Sequence, residues 1–180
     1  NNYLIDLETI EFKNIIPILE NKTLVFVNAV FDLKFFYKNN FFPEKVRDAM
    51  IASQILYNGD TSIFNHGFKY LMERELKIVY DKTEQANIHV NKIGNKSAIQ
   101  YCFNDVDKLL ELEDILFKKL EEYKAEKSYL FNCEFLKAQA YMEMCGIPIS
   151  SEKWRVKMEK DLENSKLCQI KIIDYIYDNF

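Results

Sequence analysis

The sequence predicts an α/β fold that gives way to a purely helical segment. Three observations predict it. The stretch Leu24-Val25-Phe26-Val27 is short, apolar and rich in β-branched and aromatic side chains, as a buried strand is. It runs through Asn28-Ala29 into a helix opening near Phe31-Asp32. Beyond Ser128 the apolar residues recur at helical spacing only.

The elements follow in order. Tyr3-Leu4-Ile5-Asp6-Leu7-Glu8 alternates as a strand does. Residues 12–20, with Ile15, Ile16, Ile18 and Leu19, read as a short helix leading to the 24–27 strand. The next helix carries Leu33, Phe35 and Phe36, and Phe42-Pro43 breaks it. From Glu44, the residues Val46, Ala49, Met50, Ser53 and Leu56 fall at helical spacing, and Asn58-Gly59-Asp60 ends that helix. After Asn65-His66-Gly67, the residues Phe68, Leu71, Met72 and Leu76 make another amphipathic helix. Residues 77–97 are polar and read as a long loop with at most a short strand at 78–80; long loops in compact domains are often functional. The longest helix is expected over residues 97–127, burying Cys102, Val106, Leu109, Leu116 and Leu120. A helix over 131–145 stops at Gly146-Ile147-Pro148, and a last one runs from Ser151 to the end.

A chain of 180 residues with 48% hydrophobic and 14% aromatic content has a real core, enough for one domain or one domain plus part of another. A net charge of −4 gives no overall pull toward nucleic acid, so such binding needs a local basic patch. Cys102, Cys133, Cys145 and Cys168 are widely spaced with no CxxC, which indicates neither a zinc site nor a disulfide framework. No signal peptide and no apolar run of membrane-spanning length is visible, so the expected setting is cytoplasmic, without a membrane.

The chemistry rests on carboxylates. Asp32 stands at the C-terminal mouth of the 24–27 strand, where α/β folds gather their ligands. It is equally a residue that complements the positive start of a helix. Tyr101 and Asp105 are four apart on the long helix and project from one face. Oxygen donors without His or Cys suit hard ions such as magnesium or manganese. A cluster of them supports phosphoryl transfer by two ions about 3.5–4 Å apart. Taken alone, Y-x-x-x-D is also an ordinary surface pair.

Five matches in order give a family resemblance. Asn28-Ala29-Val30-Phe31-Asp32 is similar to the second motif of the DEDD 3′–5′ exonucleases, and Tyr101-Cys102-Phe103-Asn104-Asp105 to their third, of the tyrosine subtype. Arg47-Asp48-Ala49-Met50-Ile51-Ala52-Ser53 resembles the D-T-M-x-A-S helix of the ribonuclease D and proofreading branches. His66-Gly67-Phe68-Lys69-Tyr70-Leu71 resembles their H-G-L-K-x-L helix, and Tyr80-Asp81-Lys82-Thr83-Glu84-Gln85 their L-D-K-x-x-Q loop. Met142-Glu143-Met144-Cys145-Gly146-Ile147-Pro148-Ile149 is similar to the segment that opens the polymerase domain of family A DNA polymerases, with Ser150 in place of the usual Asp.

The resemblance implies a ribonuclease H-like fold over residues 1–127, and the helical start of a polymerase domain over 128–180. It implies two divalent ions, Mg²⁺ or Mn²⁺, held in part by Asp32 and Asp105, with Tyr101 orienting the attacking water. Asn28, Lys82 and Gln85 would lie along the single-stranded 3′ end of DNA, in a bacterial or phage-encoded protein whose other partner is the adjoining polymerase. The family's first motif is D-x-E. Asp6 and Glu8 have those letters, but only one short helix separates them from the Asn28 strand, and the family fold needs two further strands there. Tyr3-Leu4-Ile5-Asp6-Leu7 more resembles the third strand, Y-x-I-D-L, whose Asp is not a ligand. On that reading the fold lacks its first strands and its D-x-E pair; otherwise Asp6 and Glu8 join the metal ligands. Two other readings stand beside it: an inactive exonuclease-like domain that supports the polymerase, and a ribonuclease D-like RNA-processing exonuclease.

Overall fold

The computed structural model describes residues 2–79 and 96–179. These form two compact units, residues 1–144 and 145–180.

The first unit is built on a parallel pair. Strand β1 (Thr23–Phe26) lies beside β2 (Lys45–Asp48), with Leu24 opposite Val46 and Phe26 opposite Asp48. Among the described residues the sheet has these two strands. Helix α2 (Ala29–Lys38) connects them and α3 (Ala49–Leu56) follows directly, so both strands deliver a helix from the same end. Before β1 come a 3-10 turn (Phe12–Asn14) and the short α1 (Ile16–Leu19). Phe12 anchors this lead against Phe36 and Phe41, at ring distances of 5.6 and 6.2 Å.

Helix α4 (Phe68–Leu71) continues into a π-helical turn (Met72–Leu76) that ends at left-handed Lys77. Helices α5 (Lys96–Asp107), α6 (Leu109–Glu122) and α7 (Glu126–Cys145) complete the unit. Along α7 the buried residues Tyr129, Cys133, Leu136 and Ala140 recur at helical spacing. The first two join a core of Ala52, Leu71, Leu112, Leu116 and Leu120, and the last two join Ala29, Leu33, Tyr37 and Val46. Each leucine enclosed in this way contributes about 1.5–3 kcal/mol.

Four expectations change. The alternating residues 3–8 form no strand. Asp6 instead makes a turn, its Oδ1 accepting from Glu8 N at 2.9 Å and its carbonyl from Ile10 N at 2.9 Å. Alternation marks a strand only where a neighbour offers its backbone, and a local aspartate turn is the competing arrangement. The helix expected from Glu44 is β2 for its first four residues, because pairing with β1 outweighs the helical spacing and Asp48 then caps α3. The expected 97–127 helix is interrupted at Lys108, between α5 and α6. The helix expected over 131–145 starts earlier, at Glu126. Most of the expected 77–97 loop, including the possible strand ending at Tyr80, lies outside the described residues.

The second unit holds the turn at Gly146, whose φ of 68° suits a residue without Cβ. Helix α8 (Ser151–Asn179) follows, exposed along its whole length. Among the described residues no helix is long and apolar enough to cross a membrane.

Candidate active-site corner

The corner lies where β1 and β2 release their helices. Beyond β1 the backbone turns at Asn28, which is left-handed at φ 71° and ψ 54° and whose side chain caps nothing. The cap comes from the neighbouring strand. Asp48 Oδ2 accepts from Ala29 N at 2.6 Å, and its Oδ1 from Asn28 N at 3.2 Å. The same Oδ1 takes Met50 N at 2.7 Å and Ile51 N at 3.4 Å, at the start of α3. Asp48 is 1% exposed. Burial pushes its pKa above the usual carboxylate value, opposed by the four N–H donors. Its own N–H donates to Tyr129 Oη at 3.1 Å, in the core beneath.

Asp32 sits in the first turn of α2 and is half-buried. Burial, and then the charge of Asp48, raise its pKa to about 6. A carboxyl group held near neutrality in a partly enclosed corner is the kind of group that active sites collect. A shallow cleft of about 370 Å³ opens at this corner on another face of α2, with Asn28, Phe31, Lys34, Asp48, Gln54 and Glu143 in its walls; Asp32 does not line it. Lys34 spans the cleft to Glu143 at 3.0 Å.

Asp105 is half-buried on α5, which packs against α6. Tyr101 is on the same helix, but its side chain, like Lys82 and Gln85, lies outside the described residues. Among the described residues no three His, Cys, Asp or Glu side chains converge on a space for a metal ion. Asp6, Glu8, Asp32 and Asp105 therefore do not form one acid cluster there. The acid that does stand by Asp32 is Asp48, and its oxygens are occupied by backbone N–H groups. These acids by themselves do not fit a bound ion.

Sequence reasoning missed Asp48 and Tyr129 as parts of this corner. An Asp directly before Ala49-Met50-Ile51 is a helix-start signal, so capping of α3 was open to view. Capping of α2 by the same side chain needs the strand register, and nothing local marks Tyr129.

The profile of the 3′–5′ exonuclease family matches residues 2–121. Among characterised proteins, DNA polymerase I of Aquifex aeolicus is 26% identical across 99% of this chain and 34% of its own length. DNA polymerase I of Borreliella burgdorferi is 30% identical across 84% of this chain and 16% of its own. The chain thus spans about a third or less of these relatives. Among solved structures, Brucella melitensis NrnC superposes with a TM-score of 0.66 at 23% identity, covering 74% of this chain and 65% of that one. The same nuclease with bound Mg²⁺ gives 0.62 at 23% identity, covering 74% and 64%. These likenesses bear on the fold, a ribonuclease H-like α/β arrangement with a small parallel sheet. With the family profile matched over residues 2–121 and the fold in agreement, the chain belongs to the 3′–5′ exonuclease domain family of the family A DNA polymerases.

Proposed function

We propose that the chain is the proofreading exonuclease region of a family A DNA polymerase, and that residues 128–180 open its polymerase domain. The observation that carries the site assignment is Asp32: a half-buried carboxyl of raised pKa, in the first turn of the helix that leaves a parallel strand, next to the buried Asp48. In this reading Asp32 and Asp105 are the acids the chain offers to divalent ions. Asn28, Lys82 and Gln85 contact the single-stranded 3′ end, and Tyr101 orients water. Two acids hold a hard ion weakly, so they act only together with further donors such as the family's D-x-E pair. The metal supplies charge neutralisation at the phosphodiester; the chain's own share is to receive and aim the strand end.

The test supplies those donors. Strands carrying the family's D-x-E motif are joined ahead of residue 2 and the protein is given 5′-labelled single-stranded DNA with Mg²⁺ or Mn²⁺. A ladder of 3′-shortened products, lost with Asp32→Ala and Asp105→Ala, is the expected result. No shortening, with the fusion folded, overturns the assignment and favours a supporting domain without catalysis. A second reading, an RNA-processing exonuclease, draws on the structural likeness to NrnC, a nuclease also solved bound to pGG. Preferential shortening of an RNA oligonucleotide favours it.

A further inference from the structure

Asp48 serves two helices with one carboxylate. The parallel register sets it opposite Phe26, beside the exit from β1, where Asn28 turns left-handed. Asn tolerates that conformation better than most residues, yet it persists only where its surroundings impose it. Here Asp48 Oδ2 holds Ala29 N at 2.6 Å and Oδ1 holds Asn28 N at 3.2 Å. The carboxylate is fixed from the other side by Met50 N at 2.7 Å, and the Asp48 backbone by Tyr129 Oη at 3.1 Å. An ordinary cap satisfies its own helix and leaves its neighbours alone. This one ties together two turns 20 residues apart.

We infer that Asp48 is a positioning residue: it holds Asn28 left-handed and seats the first turn of α2, and so aims Asn28 and Asp32 at the strand end. The aiming rests on the exonuclease reading, whereas the holding of Asn28 stands apart from it. Asp48 needs no contact with substrate for this role, which also gives a purpose to the D-T-M-x-A-S-like stretch that the proposed chemistry leaves unused.

The test uses the 180-residue chain, with Asp48→Asn, Asp48→Ala and each combined with Asn28→Gly. NMR reads the backbone conformation of residue 28 and hydrogen exchange at Ala29, and anisotropy reads binding of a labelled single-stranded dT oligonucleotide. Asp48→Ala is expected to erase the left-handed signature at Asn28 and speed exchange at Ala29 about tenfold or more. Asp48→Asn, which keeps one accepting oxygen, is expected to fall between. Because glycine is at ease in the left-handed region, either Asp48 substitution is expected to lower the folding constant about fivefold less in the Asn28→Gly background. Oligonucleotide affinity is expected to weaken about fivefold with Asp48→Asn while the protein stays folded, as suits a displaced contact residue.

If Asp48→Ala does not fold, Asp48→Asn carries the same measurements. An unchanged Asn28 and Ala29 in the folded Asp48 variants overturns the inference, as does an equal loss of stability in both backgrounds. Loss of the Asn28 signature with undiminished oligonucleotide binding overturns the aiming role. Absence of binding by the unsubstituted chain, with the Asn28 signature still dependent on Asp48, counts against the exonuclease reading and leaves the holding role supported.

Discussion

Glu75 and Lys119, 44 residues apart, meet at 2.6 Å around a carboxylate whose side chain is 1% exposed. Arg74 Nε and Tyr57 Oη donate to its other oxygen at 2.9 and 2.8 Å. Burial alone would raise the pKa of Glu75, but the donors from Lys119, Arg74 and Tyr57 outweigh it and hold the pKa below the usual value. The network ties the π-helical turn to α3's end and to α6.

Glu75→Ala is therefore expected to destabilise the first unit by about 1–2 kcal/mol, because it removes the acceptor shared by Lys119, Arg74 and Tyr57 while both cations stay partly open to water. A glutamate with a lowered folded pKa contributes stability above its unfolded pKa, and that contribution is lost as pH falls through the folded one. Urea midpoints measured between pH 3 and pH 7 are expected to fall on acidification, and to fall less steeply in Glu75→Gln.

Asp32 has the opposite sign. Its folded pKa of about 6 lies above its ordinary 3.8, so folding is penalised as pH rises between those values. Asp32→Asn is expected to raise Tm by about 2–4 °C at pH 8, the shift from ~1 kcal/mol in a domain of this size after solvent screening. At pH 3.5 no gain is expected. A gain of equal size at both pH values would mean that Asp32 ionisation does not strain the fold.

The 180-residue chain alone is expected to leave a 5′-labelled single-stranded oligonucleotide intact in Mg²⁺ or Mn²⁺, since no three metal-binding side chains converge among its described residues. Gel analysis with and without EDTA checks this. Shortening abolished by Asp32→Ala would show that the acids present suffice.

Trp154 is the single tryptophan and is 60% exposed, on a helix where Met158, Leu162 and Ile173 are exposed as well. Its fluorescence is expected at the red, water-exposed end of the indole range and open to iodide quenching. Adjoining the polymerase domain of the Aquifex aeolicus relative after residue 180 is expected to shift it to the blue, if residues 128–180 open such a domain.

Much of this was legible in the chain. Leu24-Val25-Phe26 became β1, and Gly146 with Pro148 marked the turn before α8, because composition and backbone preference decide such features locally. By sequence Asp32 opens the helix beyond the strand; it lies in the first turn of α2, which starts earlier, at Ala29. Lys45-Val46-Arg47-Asp48 was not legible as a strand: four residues carry little periodicity, and Ala49 to Leu56 supplied a stronger helical pattern beside them. Tyr3 to Leu7 failed in the other direction, with a strand pattern that pairs with nothing among the described residues. Arg47's guanidinium over Phe117 at 4.5 Å and its ion pair to Glu113 at 2.8 Å are tertiary facts with no sequence signature.

The double cap also bears on the order in which the chain folds. Helix α2 cannot receive its cap from Asp48 until β2 lies in register beside β1, and α3 shares that same carboxylate. The start of α2 cannot then mature long before the strands dock, whereas Asp48 caps α3 within its own segment, so one local event is coupled to an encounter between segments about 20 residues apart. Such coupling belongs in the rate-limiting step, so Asp48→Asn should act mainly by slowing refolding, with unfolding little changed.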